Sequence, residues 1–378
     1  MNKTYQIFLS SFILVGLMLI SSGCSDEGGV SNSYTSGPTQ FFRAQDSAIQ
    51  IVGRTVLSDS GSVVFNWSGV EFSTRFKGDT IAIVLDDGFN WYDVTIDGVI
   101  QPILKTTHGK KEYLLGDNLG EGVHTIQLVK RFETHWISAT FYGFMAETLV
   151  VLPVAKFKIE YLGDSYVVGY GVEAESHSGN SEEYGATKPY EFYTNSNKSF
   201  GALVAREFDA QPMFSAISGV GLVRNADNAR PGVVFKEYYD KAITTSVSTG
   251  DEVFMWDFSR WQADLVVINI GLNDFSGQIP PADTTAFITA YCDLLATVRT
   301  NYGTIPIILM GTYDWPNDLL RGQVQKVVDL CTTKGDSAVY YFEYAVTPSA
   351  LDWHPSESEH KAIADQLTQF ITAHKLLP

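Results

Sequence analysis

Between residues 41 and 150 apolar and polar positions alternate in short runs, among them "VEFSTRFKGDTIAIVLDDG", "WYDVTIDGVIQPIL" and "VHTIQLVKRF", divided by Gly and Asp turns. A period of two sends successive side chains to opposite faces, so each run predicts a strand with one buried face. Their close spacing predicts an antiparallel β-sandwich, within which no catalytic constellation is evident. Beyond Pro153 the pattern changes. The runs "AKFKIEYLG", "MFSAISG", "DLVVINIG", "TIPIILMG" and "SAVYYFEY" are apolar almost throughout. They alternate with the amphipathic stretches "FGALVAREFDA", "DTTAFITAYCDLLATVRTNYG" and "SESEHKAIADQLTQFITAHK". Apolar strands divided by helices predict an α/β domain over residues 151–378, a parallel sheet covered by helices on both faces.

The N-terminal segment follows neither pattern. It opens with Lys3, runs apolar from Ile7 to Ile20 and closes on small residues ending in Gly23-Cys24. The apolar run is too short to span a bilayer and is followed by a polar stretch, which predicts an export signal over residues 1–23 and a flexible linker over 24–40. The ending "ISSGC" resembles a bacterial lipobox, which implies that Cys24 carries lipid and that the protein is an extracytoplasmic, membrane-anchored lipoprotein of the outer membrane or cell surface. The "SDEGG" that follows resembles a lipoprotein surface-export tag.

Charge narrows the partners. The chain has 26 Lys plus Arg against 43 Asp plus Glu, a net charge of −17 over 378 residues. Such a surface repels phosphate backbones and anionic lipid, which excludes nucleic acid and leaves neutral partners such as glycans unhindered. No Cys/His cluster has zinc spacing, so no metal is expected. Cys292 and Cys331 both fall in helical stretches, more in keeping with small core residues than with a bridge.

In parallel sheets the reactive groups stand where strands give way to loops at their carboxyl ends. Four polar, Gly-containing segments fall there: Gly163-Asp-Ser165, Ser218-Gly219, Gly271-Leu-Asn273-Asp and Gly311-Thr-Tyr-Asp. Ser165 opens a helix-like turn, so its hydroxyl is a candidate nucleophile, although an isolated Gly-Asp-Ser reads more readily as a helix cap. His354 in "LDWHPSESEH" precedes Pro355 on a loop, where an imidazole can take the serine proton and return it. Asp352, two residues earlier, is the candidate partner for its other nitrogen; a backbone carbonyl or Asp314 are the alternatives. For a developing oxyanion, Gly219 and Ser165 offer backbone N–H groups and Asn273 a side-chain amide. Tyr313, Trp315 and Trp353 lie beside these loops and are candidate platforms for sugar rings, with buried packing an equal reading. His177 and His360 read as surface or capping residues, and His108, His124 and His135 as having no chemical role.

The ordered set "GDS", "SGVG", "GLND" and "DWHP" resembles the four blocks of the GDSL/SGNH hydrolases, and with the preceding sandwich it is similar to the two-domain carbohydrate esterase family two. The resemblance covers nearly all of the chain after the linker. It implies a jelly-roll domain over residues 41–150, an SGNH domain after it, Ser165 as nucleophile, Ser165, Gly219 and Asn273 as oxyanion donors, and His354 as base. In the broader superfamily an Asp stands three residues before the histidine, and that place is Leu351 here. The expected function is that of a serine esterase removing O-acetyl groups from plant-type polysaccharides or oligosaccharides, a monomer without cofactor. The rival readings are an esterase or lipase for another acyl group and a non-catalytic glycan-binding lipoprotein.

Overall fold

A computed structural model of the chain describes residues 40–176 and 190–377. The expectations for Cys24, for the N-terminal signal and linker, and for His177 fall outside the described residues. The alternating region folds into two antiparallel sheets. One contains β1 (Glu71–Lys77), β3 (Trp91–Ile96) and β5 (Val123–Lys130), with β5 between the other two; the second contains β2 (Ile81–Asp86), β4 (Lys110–Gly116) and β6 (Ala139–Ala146), with β2 in the middle. Inward residues such as Phe72, Phe76, Ile83, Leu85, Ile126, Leu128, Phe141 and Phe144 fill the space between the sheets. Phe72 meets Phe65 edge-on with ring centres 4.9 Å apart.

The apolar runs become β7 (Phe157–Gly163), β8 (Ala210–Ala216), β9 (Leu265–Asn269), β10 (Ile307–Gly311) and β11 (Val339–Glu343), five parallel strands in the order β8-β7-β9-β10-β11. Alternate residues of β9 divide between its faces. Leu265 and Val267 join one cluster with α2 (Phe200–Glu207) and α6 (Glu357–His374), and Val266 and Ile268 join the other with α4 (Thr284–Tyr302) and α5 (Leu320–Thr333). Burial on both faces is why the strands read as unbroken apolar runs. Cys292 and Cys331 are free thiols, partly buried and packed against this core.

The cluster on the second face runs on into the sandwich. Arg54 and Glu160 seal the junction as a fully buried ion pair at 2.8 Å, Ser215 donates to the same carboxylate oxygen, and the Trp67 indole donates to the Ala242 carbonyl. In this strand order the chain reverses direction across the sheet between β7 and β9, and the crevice at such a reversal is where open α/β sheets place their ligands.

Candidate active site

Register brings the three loops level. Gly163 at the end of β7 pairs with Ala216 of β8 on one side and Asn269 of β9 on the other. A Cβ on Gly163 would lie 2.2 Å from the Asn269 carbonyl oxygen, so this close approach requires glycine. Just beyond it, Asp164 caps the short helix α1 (Ser165–Val168), accepting the Tyr166 N–H at 3.1 Å. Ser165 is therefore the first helical residue, 7% exposed, and its own N–H donates to no described residue.

His354 Nε2 stands 2.8 Å from Ser165 Oγ. The base is held from below: Ser356 and Glu359 form a reciprocal capping box at the start of α6, and the Ala350 N–H donates to the His354 carbonyl. Burial holds the imidazole pKa below its ordinary value, which keeps the ring neutral and able to accept the serine proton at pH 7.

The orienting partner differs from the expected one. Nδ1 lies 3.1 Å from both the Leu351 and the Asp352 backbone carbonyl oxygens, while the Asp352 carboxylate accepts the Tyr170 hydroxyl at 2.9 Å. The cause is local. Asp352 and Trp353 both adopt left-handed backbone, φ 49° and 61°, at a cost of about 1–2 kcal/mol each, and the turn they make directs the carbonyls inward and the carboxylate away. Asp314 does not substitute, since its carboxylate accepts the Leu320 N–H at the start of α5. Tyr170 in turn lays its ring 4.5 Å from the imidazole centre. Asp352→Asn and Asp352→Ala are expected to keep turnover within about tenfold of the parent, because the carboxylate does not touch His354. A loss near the ten-thousandfold seen when a triad loses its carboxylate would return Asp352 to the orienting role.

Gly219 lies in a left-handed turn, φ 77°, after β8, and its N–H donates to no described residue. Asn273 sits in α3 (Leu272–Phe275) after β9; its Nδ2 donates to the Val220 carbonyl at 3.0 Å and approaches Asp164 at 3.4 Å. Two residues without an assigned role clasp these loops together. Asp274 is buried and accepts the N–H groups of Leu222, Val223 and Arg224 at 2.9, 2.7 and 2.9 Å. Arg224 returns the contact, donating to the carbonyls of Asn273, Ser276 and Pro280. Burial pushes the Asp274 carboxyl up to about 6, and burial together with the Asp274 charge pushes Asp164 up to about 7.

Tyr313, Trp315 and Trp353 are 51%, 54% and 60% exposed, which excludes buried packing for all three. Of the two readings for His360, surface or capping, the structure shows the second: the ring is buried and its Nδ1 accepts the Phe200 N–H at the start of α2. Among the described residues no cluster of metal-ligating side chains occurs.

Taken together, a serine hydroxyl on a base, two free backbone N–H groups and an amide on neighbouring loops are suited to acyl transfer. Comparison with known proteins agrees with that chemistry. Residues 51–153 match the carbohydrate esterase 2 N-terminal family and residues 159–367 the GDSL-like lipase/acylhydrolase family. The chain is 34% identical over 327 residues to the cellulase/esterase CelE of Acetivibrio thermocellus, an alignment covering 84% of this chain and 38% of CelE, so it spans well under half of that relative. It is 28% identical over 326 residues to an acetylxylan esterase/glucomannan deacetylase of Cellvibrio japonicus, with 83% and 86% covered. The solved structure of a family two carbohydrate esterase from Clostridium thermocellum in complex with cellohexaose superposes with a TM-score of 0.77 at 32% identity, over 87% of this chain and all of that one. With a family-two sandwich domain ahead of a GDSL-type hydrolase domain, and this likeness along the full length of a solved member, the chain belongs to the family two carbohydrate esterases.

Proposed function

We propose that the chain is a serine esterase that removes acetyl groups from the hydroxyls of plant-type polysaccharides or their oligosaccharides. The observation that carries this reading is the 2.8 Å contact between Ser165 Oγ and His354 Nε2 beside unengaged N–H donors. As Ser165 attacks the acetyl carbonyl, His354 takes the hydroxyl proton, and the backbone carbonyls at Nδ1 stabilise the imidazolium that results. The oxyanion is received by the N–H groups of Ser165 and Gly219 and by the Asn273 amide. Collapse breaks the bond to the sugar oxygen, which takes the proton back from His354 and leaves an acetyl-Ser165. Water then attacks that ester with His354 as base, releasing acetate and restoring the serine.

The activities for which the Cellvibrio japonicus relative is named, acetylxylan esterase and glucomannan deacetylase, support the choice of acetyl and of polysaccharide. The exposed rings of Tyr313, Trp315 and Trp353 supply flat apolar surface on which sugar rings stack. We assign the chain to the outside of the cytoplasm, anchored by lipid on Cys24; an exported product whose intact mass starts at any other residue would remove that assignment.

The test is acetate release from acetylated xylan, acetylated glucomannan and simple sugar acetates, beside nitrophenyl esters of rising chain length. Acetyl should exceed butyryl by at least about tenfold in kcat/KM, since a methylene that does not fit its pocket costs about 1–3 kcal/mol. Faster butyryl turnover would shift the reading to another acyl group, and polysaccharide binding without acetate release would make the chain a binding module.

A further inference from the structure

The sandwich reaches into the hydrolytic site. After β5 the chain enters a loop fastened on both sides of Glu133. Arg131 is fully buried, pairs with Glu173 and donates to the Phe192 carbonyl at 2.7 Å, and its own carbonyl accepts the Ser196 N–H at 2.8 Å. On the other side the Thr134 N–H donates to the Asn66 carbonyl at 3.0 Å. Glu133, 7% exposed, then extends its carboxylate to the Ser218 N–H at 2.8 Å. Ser218 immediately precedes Gly219.

We propose that Glu133 is a positioning residue that sets the direction of the Gly219 N–H, so that the sandwich domain completes the oxyanion site of the hydrolase domain. This rests on the assignment of Gly219 as an oxyanion donor. A left-handed glycine has no Cβ to restrict its peptide planes, so its N–H must be aimed by its neighbours. On the far side of Gly219 they are fixed, since its carbonyl accepts the Ala226 N–H at 2.9 Å and the Val220 carbonyl accepts the Asn273 amide. On the near side, the Ser218 N–H is held by Glu133. Burial raises the Glu133 pKa, with the buried Lys130 among the charges around it. The contact needs an acceptor oxygen rather than a charge, and a side-chain amide can supply one in the same place.

Full-length Glu133→Ala is expected to lose at least about tenfold in kcat on acetyl esters with KM within about threefold, since the donor is misaimed only where charge develops. Glu133→Gln should stay within about threefold of the parent in both constants. If the alanine variant fails to fold, Glu133→Met, similar in length and without an acceptor, replaces it. An unchanged kcat in a folded variant lacking the acceptor would overturn the proposal, as would an equal loss in Glu133→Gln. The parent and Ser165→Ala are assayed alongside: an active parent silenced by Ser165→Ala confines any such failure to Glu133, whereas an inactive parent overturns the esterase reading and this proposal with it.

Discussion

Ser165→Ala and His354→Ala should each lower acetyl-ester turnover by at least about a thousandfold while the far-ultraviolet spectrum and melting temperature stay close to the parent's. The two side chains meet at 2.8 Å, and neither belongs to a hydrophobic cluster. Removing the hydroxyl leaves His354 with no proton to accept, and removing the imidazole leaves a hydroxyl that is essentially un-ionised at neutral pH. What remains in either variant is the oxyanion donors and substrate binding, a small residue of the whole. Turnover in Ser165→Ala above a tenth of the parent value would sink the assignment. The parent's pH profile carries the sign of the base. The neutral imidazole is the active form and burial lowers its pKa, so the loss of kcat/KM that belongs to His354 should come as acid takes the solution through a midpoint below the ordinary histidine value. A midpoint above that value would indicate an ionised carboxylate at the ring, contrary to the two carbonyl contacts.

How far the sequence reveals this site depends on the range of the interaction. Apolar runs such as "DLVVINIG" predict buried parallel strands because two covered faces leave no polar positions. The loops after them are then placed on one edge, which brings Ser165, Gly219, Asn273 and His354 together. The partner of His354 lies beyond that reasoning. Spacing puts Asp352 within reach, but its direction is decided by two successive left-handed residues, and neither Asp nor Trp announces that conformation in the way glycine does. Asp274 is visible in the "GLND" segment, yet its work is to bind three backbone N–H groups fifty residues away, which no periodicity encodes. Glu133 is hidden for the same reason. It sits in a sandwich whose alternating pattern reports only its own core, while its contact with Ser218 spans 85 residues of chain. For His360 the sequence leaves a surface and a capping reading open, and the structure takes the second: the ring faces inward and accepts an N–H of the first turn of α2.

The second large effect concerns Asn273. Asn273→Ala should lower kcat about a hundredfold or more with KM nearly unchanged, a loss of roughly 3 kcal/mol that falls on the transition state. The backbone at this position does not depend on the side chain, because Arg224 holds the Asn273 carbonyl and Asp274 ties the helical turn to residues 222–224. Truncation therefore removes a donor without releasing the turn that carries it, while also freeing the Val220 carbonyl beside Gly219. Of the two amide hydrogens, one is committed to the Val220 carbonyl at 3.0 Å, and the other faces the Asp164 carboxylate at 3.4 Å, long for a hydrogen bond to an oxygen. That second hydrogen, the more weakly held of the two, is the one available to an oxyanion as it forms. Asn273→Asp is the sharper variant. It keeps the size of the side chain but replaces the donor with a third carboxylate beside Asp164 and Asp274, both already raised in pKa by burial. It should be at least as slow as the alanine variant at neutral pH, where added negative charge opposes the oxyanion, and should recover in part as acid protonates the new group. Steady-state constants for both variants on one acetyl ester decide the matter. A change confined to KM would make Asn273 a ground-state binding residue, and an aspartate variant as fast as the parent would show that the oxyanion is held by the Ser165 and Gly219 N–H groups without it.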